Sequence, residues 1–174
     1  MLAPEGVTPL LKGGCFCEAV TYSIYGPPLL SAYCHCTNCQ RLTGKFLQAP
    51  NSSVSAEAWI GCPFVHTIHF KETDFVWSWH HMQPSDLDYY ENPLKPYKRR
   101  FRCKQCGAPV ASFNTRTQQY SVWGASLERG LEGEILRWEQ VKPTAHQFYG
   151  TRMLDVNGEL GKWEGYEGES ARIG

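Results

Sequence analysis

The chain has 174 residues and a mass of 19.8 kDa, with 42% hydrophobic, 13% aromatic and 20% charged residues, and its seventeen Lys plus Arg cancel seventeen Asp plus Glu. That length buries roughly 70% of the surface of the unfolded chain, the composition excludes a disordered protein, and zero net charge argues against a binder of nucleic-acid phosphates. No run approaches the ~18 apolar residues of a membrane span, and Met1-Leu2-Ala3-Pro4-Glu5-Gly6 lacks the basic and apolar regions of an export signal, so a soluble, cytoplasmic protein of one domain, 1–174, is expected, without nucleic-acid or membrane partners.

In chain order, 18–25 alternates with Val20, Tyr22 and Ile24 on one face and Thr21, Ser23 and Tyr25 on the other, a strand ended by Gly26-Pro27-Pro28. A second short strand, 29–33, leads straight into Cys34. Thr37-Asn38-Cys39-Gln40 has the form of a capping box, and Gly44 that of a helix end, which predicts a helix over 38–43 whose N-terminus points at the neighbouring thiols. Alternation returns over 64–70 and 75–81, read as a hairpin around Lys71-Glu72-Thr73-Asp74, with Phe75, Trp77, Trp79 and His81 on one face. Residues 84–96, with Ser85, Asp86, Asp88, Asn92 and Pro93, show no period and read as an irregular surface loop. Further strands are expected at 110–113, 120–127 and 147–153. The core spans about 13–152, and 157–174, with Glu159, Glu164, Glu167 and Glu169, reads as a loosely docked acidic tail. The fold class is mostly β: short antiparallel strands with one short helix and no internal repeat.

Eight cysteines stand out. Without an export signal they point to metal rather than to disulfides. They fall as Cys15-x-Cys17, Cys34-x-Cys36-x-x-Cys39, Cys103-x-x-Cys106 followed by Gly107, and a solitary Cys62. Two pairs make one closed tetrahedral zinc site, and the triplet leaves a second site with three thiolates, the protein ligand number of a zinc that admits water or substrate. Cys62 is either the fourth ligand there or a buried apolar cysteine.

These residues carry a resemblance. Gly13-Gly14-Cys15-Phe16-Cys17, then Cys34-His35-Cys36-Thr37-Asn38-Cys39 with Arg41 and Gly44, Cys103-Lys104-Gln105-Cys106-Gly107, Gly124-Ala125-Ser126-Leu127 and Pro143 with His146 resemble the glutathione-dependent formaldehyde-activating enzyme family over about 13–152. The resemblance implies a β-tent zinc-binding fold, shared with centromere protein V. It also implies two Zn²⁺ per chain: a structural one on Cys15, Cys17, Cys103 and Cys106, and a catalytic one on Cys34, Cys36 and Cys39. The implied activity is that of a carbon–sulfur lyase similar to S-(hydroxymethyl)glutathione synthase, with glutathione as co-substrate and a small carbonyl compound as partner. The sequence departs from the family pattern at Glu18, where glycine is usual, at Gln40 before Arg41, at Lys45, and in the 66–96 region, while 148–166 looks like its fungal branch. The alternative function is a β-tent module that docks a protein partner without catalysis, and no oligomeric state is specified.

Such chemistry needs a proton carrier and a carboxylate anchor. His35, His80, His81 and His146 are the candidates for the first, with His81 chosen because it shares a face with Trp77 and Trp79. Arg41 is the first choice for the second. The basic cluster Lys95, Lys98, Arg99, Arg100, Arg102 and Lys104 either grips substrate carboxylates or offsets the charge of about −2 on a four-thiolate zinc.

Overall fold

The computed structural model describes residues 6–42, 62–78 and 84–174. The strands are β1 Leu11–Gly14, β2 Thr21–Ile24, β3 Leu30–Cys34, β4 Val65–Lys71, β5 Phe75–Trp77, β6 Leu87–Asn92, β7 Lys95–Cys103, β8 Pro109–Asn114, β9 Gln119–Trp123, β10 Ala145–Gln147 and β11 Gly161–Lys162, with helices α1 Thr37–Leu42 and α2 Trp138–Val141. The mostly β class expected from the sequence is what is observed. The chain divides into two compact units, Met1–Ser31 with Thr67–Lys142 and Ala32–His66 with Pro143–Gly174. No helix among the described residues is long and apolar enough to cross a membrane.

In the first unit β2 pairs antiparallel with β1 and with β5, and an antiparallel meander runs β4, β9, β8, β7, β6. The alternation read over 18–25 is real: Val20, Tyr22 and Ile24 are buried. Tyr22 stacks on Phe75 at 5.1 Å and Phe75 on Tyr120 at 4.0 Å, so the two sets of strands share one aromatic core.

Two expectations are corrected in this unit. Over the described part of 64–70 and 75–81 the strands do not form a hairpin: β4 pairs with β9 and β5 with β2, and the turn Glu72–Asp74 carries the chain from one sheet to the other, while Trp79 and His81 lie outside the described residues. Local alternation shows that two runs are strands but not which partners they take. Residues 84–96 are not an irregular loop either; after the turn Pro84–Asp86 comes β6, which forms a hairpin with β7 across a turn where the Asn92 side chain accepts the Leu94 N–H at 2.9 Å. Among the described residues β6 pairs only with β7, and it is half exposed along its length, so neither face required an apolar stripe.

In the second unit β10 lies between β3 and β11 and pairs parallel with both. The strand expected at 147–153 begins earlier and ends at Gln147, because Phe148 turns into the left-handed region at φ 54° and opens the short turn Tyr149–Thr151. The C-terminal stretch is not loosely docked. Trp163 N–H donates to the His146 carbonyl at 2.9 Å, Lys162 N–H to Gly174 and Ile173 N–H to Lys162, both at 2.8 Å. Its glutamates are exposed, as their charge requires, while its backbone is knitted into the unit.

Candidate metal centres

The first centre lies in the first unit. Cys15 and Cys17 sit on the turn between β1 and β2, where Cys15 N–H donates to Val20 O at 2.9 Å and the Cys15 sulfur accepts Val20 N–H at 3.3 Å. Cys103 and Cys106 sit on the turn between β7 and β8, closed by Gly107 N–H to Cys103 O at 2.9 Å with Gly107 at φ 72°, a conformation that favours glycine. The four sulfurs lie within 4.8 Å of one another. Cys15 and Cys17 are 3.6 Å apart, Cys17 and Cys103 3.7 Å. Four sulfurs at about 2.3 Å from a tetrahedral ion stand about 3.8 Å apart, so the donor set fits a metal of zinc's size. Burial pushes the Cys15 thiol up to about 12, while at Cys106 backbone N–H groups of Ala108 and Cys17 overcome burial and draw it down to about 7.

The second centre lies in the second unit. Cys34 ends β3, and Cys36 stands where α1 begins, its carbonyl accepting Gln40 N–H at 3.0 Å and its sulfur accepting Cys39 N–H at 3.4 Å. Cys34, Cys36 and Cys39 lie within 4.8 Å of one another and can hold a metal ion. The thiols of Cys34 and Cys39 donate to Cys36 and hold it far below the ordinary thiol range, whereas Cys34 is pushed far above it. Cys62 is not one of the thiols that gather there; its N–H donates to the Gln40 carbonyl at 3.2 Å.

Helix α1 starts one residue earlier than expected, and Gln40 does not close a capping box. Buried at 6% exposure, its amide donates to the carbonyls of His35 at 2.7 Å and Thr151 at 2.9 Å, which fastens α1 within its unit. His35 points away from the thiols. Its Nε2 meets Nδ1 of His146 at 2.9 Å, amid Tyr33, Phe64 and Tyr149. Burial drives the His35 imidazole down to about 4, with the charges of His146 and Arg152 adding to it, and also lowers His146, so the pair is neutral at pH 7.

Arg41 is exposed on α1. His80, His81, Gly44 and Lys45 lie outside the described residues. The basic cluster belongs to the first unit, and two of its members are engaged by acids directly across the hairpin, Arg99 by Glu91 at 2.8 Å and Arg102 Nε by Asp88 at 2.9 Å. Glu18, exposed beside Cys17, has φ 61°.

Two residues beside the second centre were not singled out from the sequence. Tyr166 lies close enough that, after burial, the charges of Cys34, Cys36 and Cys39 raise its phenol. Gln147 is the register partner of Cys34 across β3 and β10. A parallel pairing between strands so distant in sequence leaves no local signal.

Residues 10–60 match the family model described as glutathione-dependent formaldehyde-activating enzyme, a stretch that holds Cys15, Cys17, Cys34, Cys36 and Cys39. No curated protein matches the chain. Among solved structures, the chain is similar to a Rhodobacter sphaeroides protein determined as a structural-genomics target, at 18% identity over 71% of this chain and 96% of that one, with a TM-score of 0.44.

Proposed function

We propose that this chain, similar over residues 10–60 to glutathione-dependent formaldehyde-activating enzymes, makes and breaks a carbon–sulfur bond between a thiol of the glutathione type and a small carbonyl compound. The observation that carries the reading is the inequality of the two thiol clusters among the described residues: four sulfurs in one and three in the other, with Cys62 a member of neither. Cys15, Cys17, Cys103 and Cys106 would hold a closed structural zinc, and Cys34, Cys36 and Cys39 the zinc of an open site. Zinc bound there would supply Lewis acidity and lower the pKa of an incoming thiol.

The remaining work falls to the chain. The thiol adds across the carbonyl: sulfur bonds to carbon, the thiol proton ends on oxygen, and the reverse step returns both reactants without a change of oxidation state. Tyr166, its phenol raised by burial and by the charges of Cys34, Cys36 and Cys39, keeps its proton at pH 7. Arg41, exposed on α1 two residues from Cys39, is the anchor for a substrate carboxylate, and His81 is the proton carrier suggested by its face. Free thiols in this number suit the reducing cytoplasm.

The test is metal analysis followed by a screen of thiol and carbonyl pairs read by mass spectrometry, with Cys36→Ser as the blank. Two zinc per chain and adduct formation by the parent protein alone are expected. Equal rates in both, or no adduct from any pair, would replace this reading by a zinc-stabilised protein-docking module.

A further inference from the structure

Gln147 is completely buried, yet among the described residues neither its Oε1 nor its Nε2 has a hydrogen-bond partner. Leaving such a group unpaired costs it the hydrogen bonds it made in water, and the large majority of buried side-chain polar atoms are paired. His35 Nδ1 and Trp163 Nε1 in the same unit are also buried without a partner, but Gln147 alone among these three has both a donor and an acceptor left over, in contrast to Gln40, whose amide is spent on main-chain carbonyls.

The register says where the amide goes. His146 pairs with Tyr33 and Gln147 with Cys34 on the adjacent parallel strands β10 and β3. The rings of Tyr33 and His146 stack at 5.2 Å and 27°, so register partners here share a face. Successive side chains alternate, which puts Cys34 and Gln147 together on the opposite face. That is the face of the three-thiol cluster, to which Cys34 belongs. Tyr33 and His146 have His35 on their own side, where it meets His146 through Nε2.

The chemistry of the amide says what it takes. It presents N–H donors and a carbonyl acceptor side by side, and neither a thioether nor an alkyl group satisfies both. A hydroxyl does, since it accepts and donates at one atom. A carbonyl oxygen accepts from Nε2 and, once addition has made it a hydroxyl, also donates to Oε1, so the adduct satisfies the amide more fully than the free carbonyl does.

We propose that Gln147 binds the oxygen of the carbonyl-derived carbon attached to the substrate sulfur, and so selects hydroxyl-bearing thioethers over alkyl ones. This rests on the reading of the Cys34, Cys36 and Cys39 site given above. A site built to hydrogen-bond a substrate hydroxyl rejects the analogue without it, because its own buried groups are then left unpaired.

The experiment compares S-hydroxymethylglutathione, kept formed by excess formaldehyde, with S-ethylglutathione, two thioethers of matched size, by calorimetry on the zinc-loaded full chain. The parent protein is expected to prefer the hydroxyl by about tenfold or more. Gln147→Met loses that preference, and its melting temperature without ligand is unchanged or higher, because an unpaired amide has become an apolar chain of similar size. Gln147→Leu serves as a second variant should the first fold poorly. Equal binding of both probes by the parent, a preference that survives substitution, or a lowered ligand-free melting temperature with an intact preference overturns the role of Gln147 alone. Binding of neither probe by the parent overturns the reading of the site, and this inference with it.

Discussion

At the scale of single residues the most informative position is Glu18, where the family that the sequence resembles usually has glycine. Its left-handed φ of 61° costs a side chain that glycine lacks, which is a physical reason for the glycine usual there. Glu18 is exposed, so Glu18→Gly removes strain without removing packing. The variant should be more stable by about 1 kcal/mol, a rise of roughly 2–4 °C in melting temperature for a chain of this size; a fall would mean that the turn is not strained. His69 supplies a second case. Burial, aided by the Lys98 charge, drives its imidazole down to about 4. The unfolded chain, titrating near 6.5, therefore binds the proton first as pH falls, and this part of the stability is complete above about 6.5 and lost as pH drops toward 4. His69→Gln should shrink the stability difference between pH 7 and pH 5 by about 2 kcal/mol in urea titrations. Parallel losses in both proteins would assign the acid sensitivity elsewhere.

At the scale of elements, what the sequence disclosed was what local pattern controls. Val20, Tyr22 and Ile24 gave β2 and its buried face, and the cysteine spacings gave the two groups of thiols that lie within 4.8 Å of one another, while leaving open the place of Cys62. The failures share a cause. β6 has no buried face to write an alternation, the partners of β4 and β5 are chosen by a distant aromatic core, and β10 takes its place from parallel neighbours far along the chain. Gln147 was invisible for the same reason, and the capping-box pattern of Thr37 and Gln40 was satisfied by different partners. β1 offers a direct test of close packing between elements. A Cβ added at Gly13 would meet the Tyr22 hydroxyl, and the Ser126 carbonyl at 2.5 Å, where Tyr22 and Ser126 are themselves bonded at 2.8 Å. Gly13→Ala should therefore cost on the order of 1–3 kcal/mol, seen as a lowered denaturation midpoint. An unchanged midpoint would show that this contact relaxes freely.

At the scale of the molecule, the proposed function has the two thiol clusters divide stability from chemistry. Cys106→Ser should lose one metal equivalent and unfold or aggregate, since structural zinc contributes an apparent ~10–16 kcal/mol in small peptide systems, comparable with the whole stability of a domain. Cys36→Ser should lose the other equivalent and keep its circular dichroism spectrum. A folded Cys106→Ser, or an unfolded Cys36→Ser, would reverse the assignment. The sulfurs of the first cluster come from turns 86 residues apart, Cys17 against Cys103, whereas those of the second lie within one short turn of chain. A nascent polypeptide leaving the ribosome therefore completes the triplet early and the quartet only after Cys106 has emerged. Metal captured by the triplet would require little prior folding, while capture by the quartet would wait for a long ring to close, so that on the proposed reading the triplet would be filled first during synthesis.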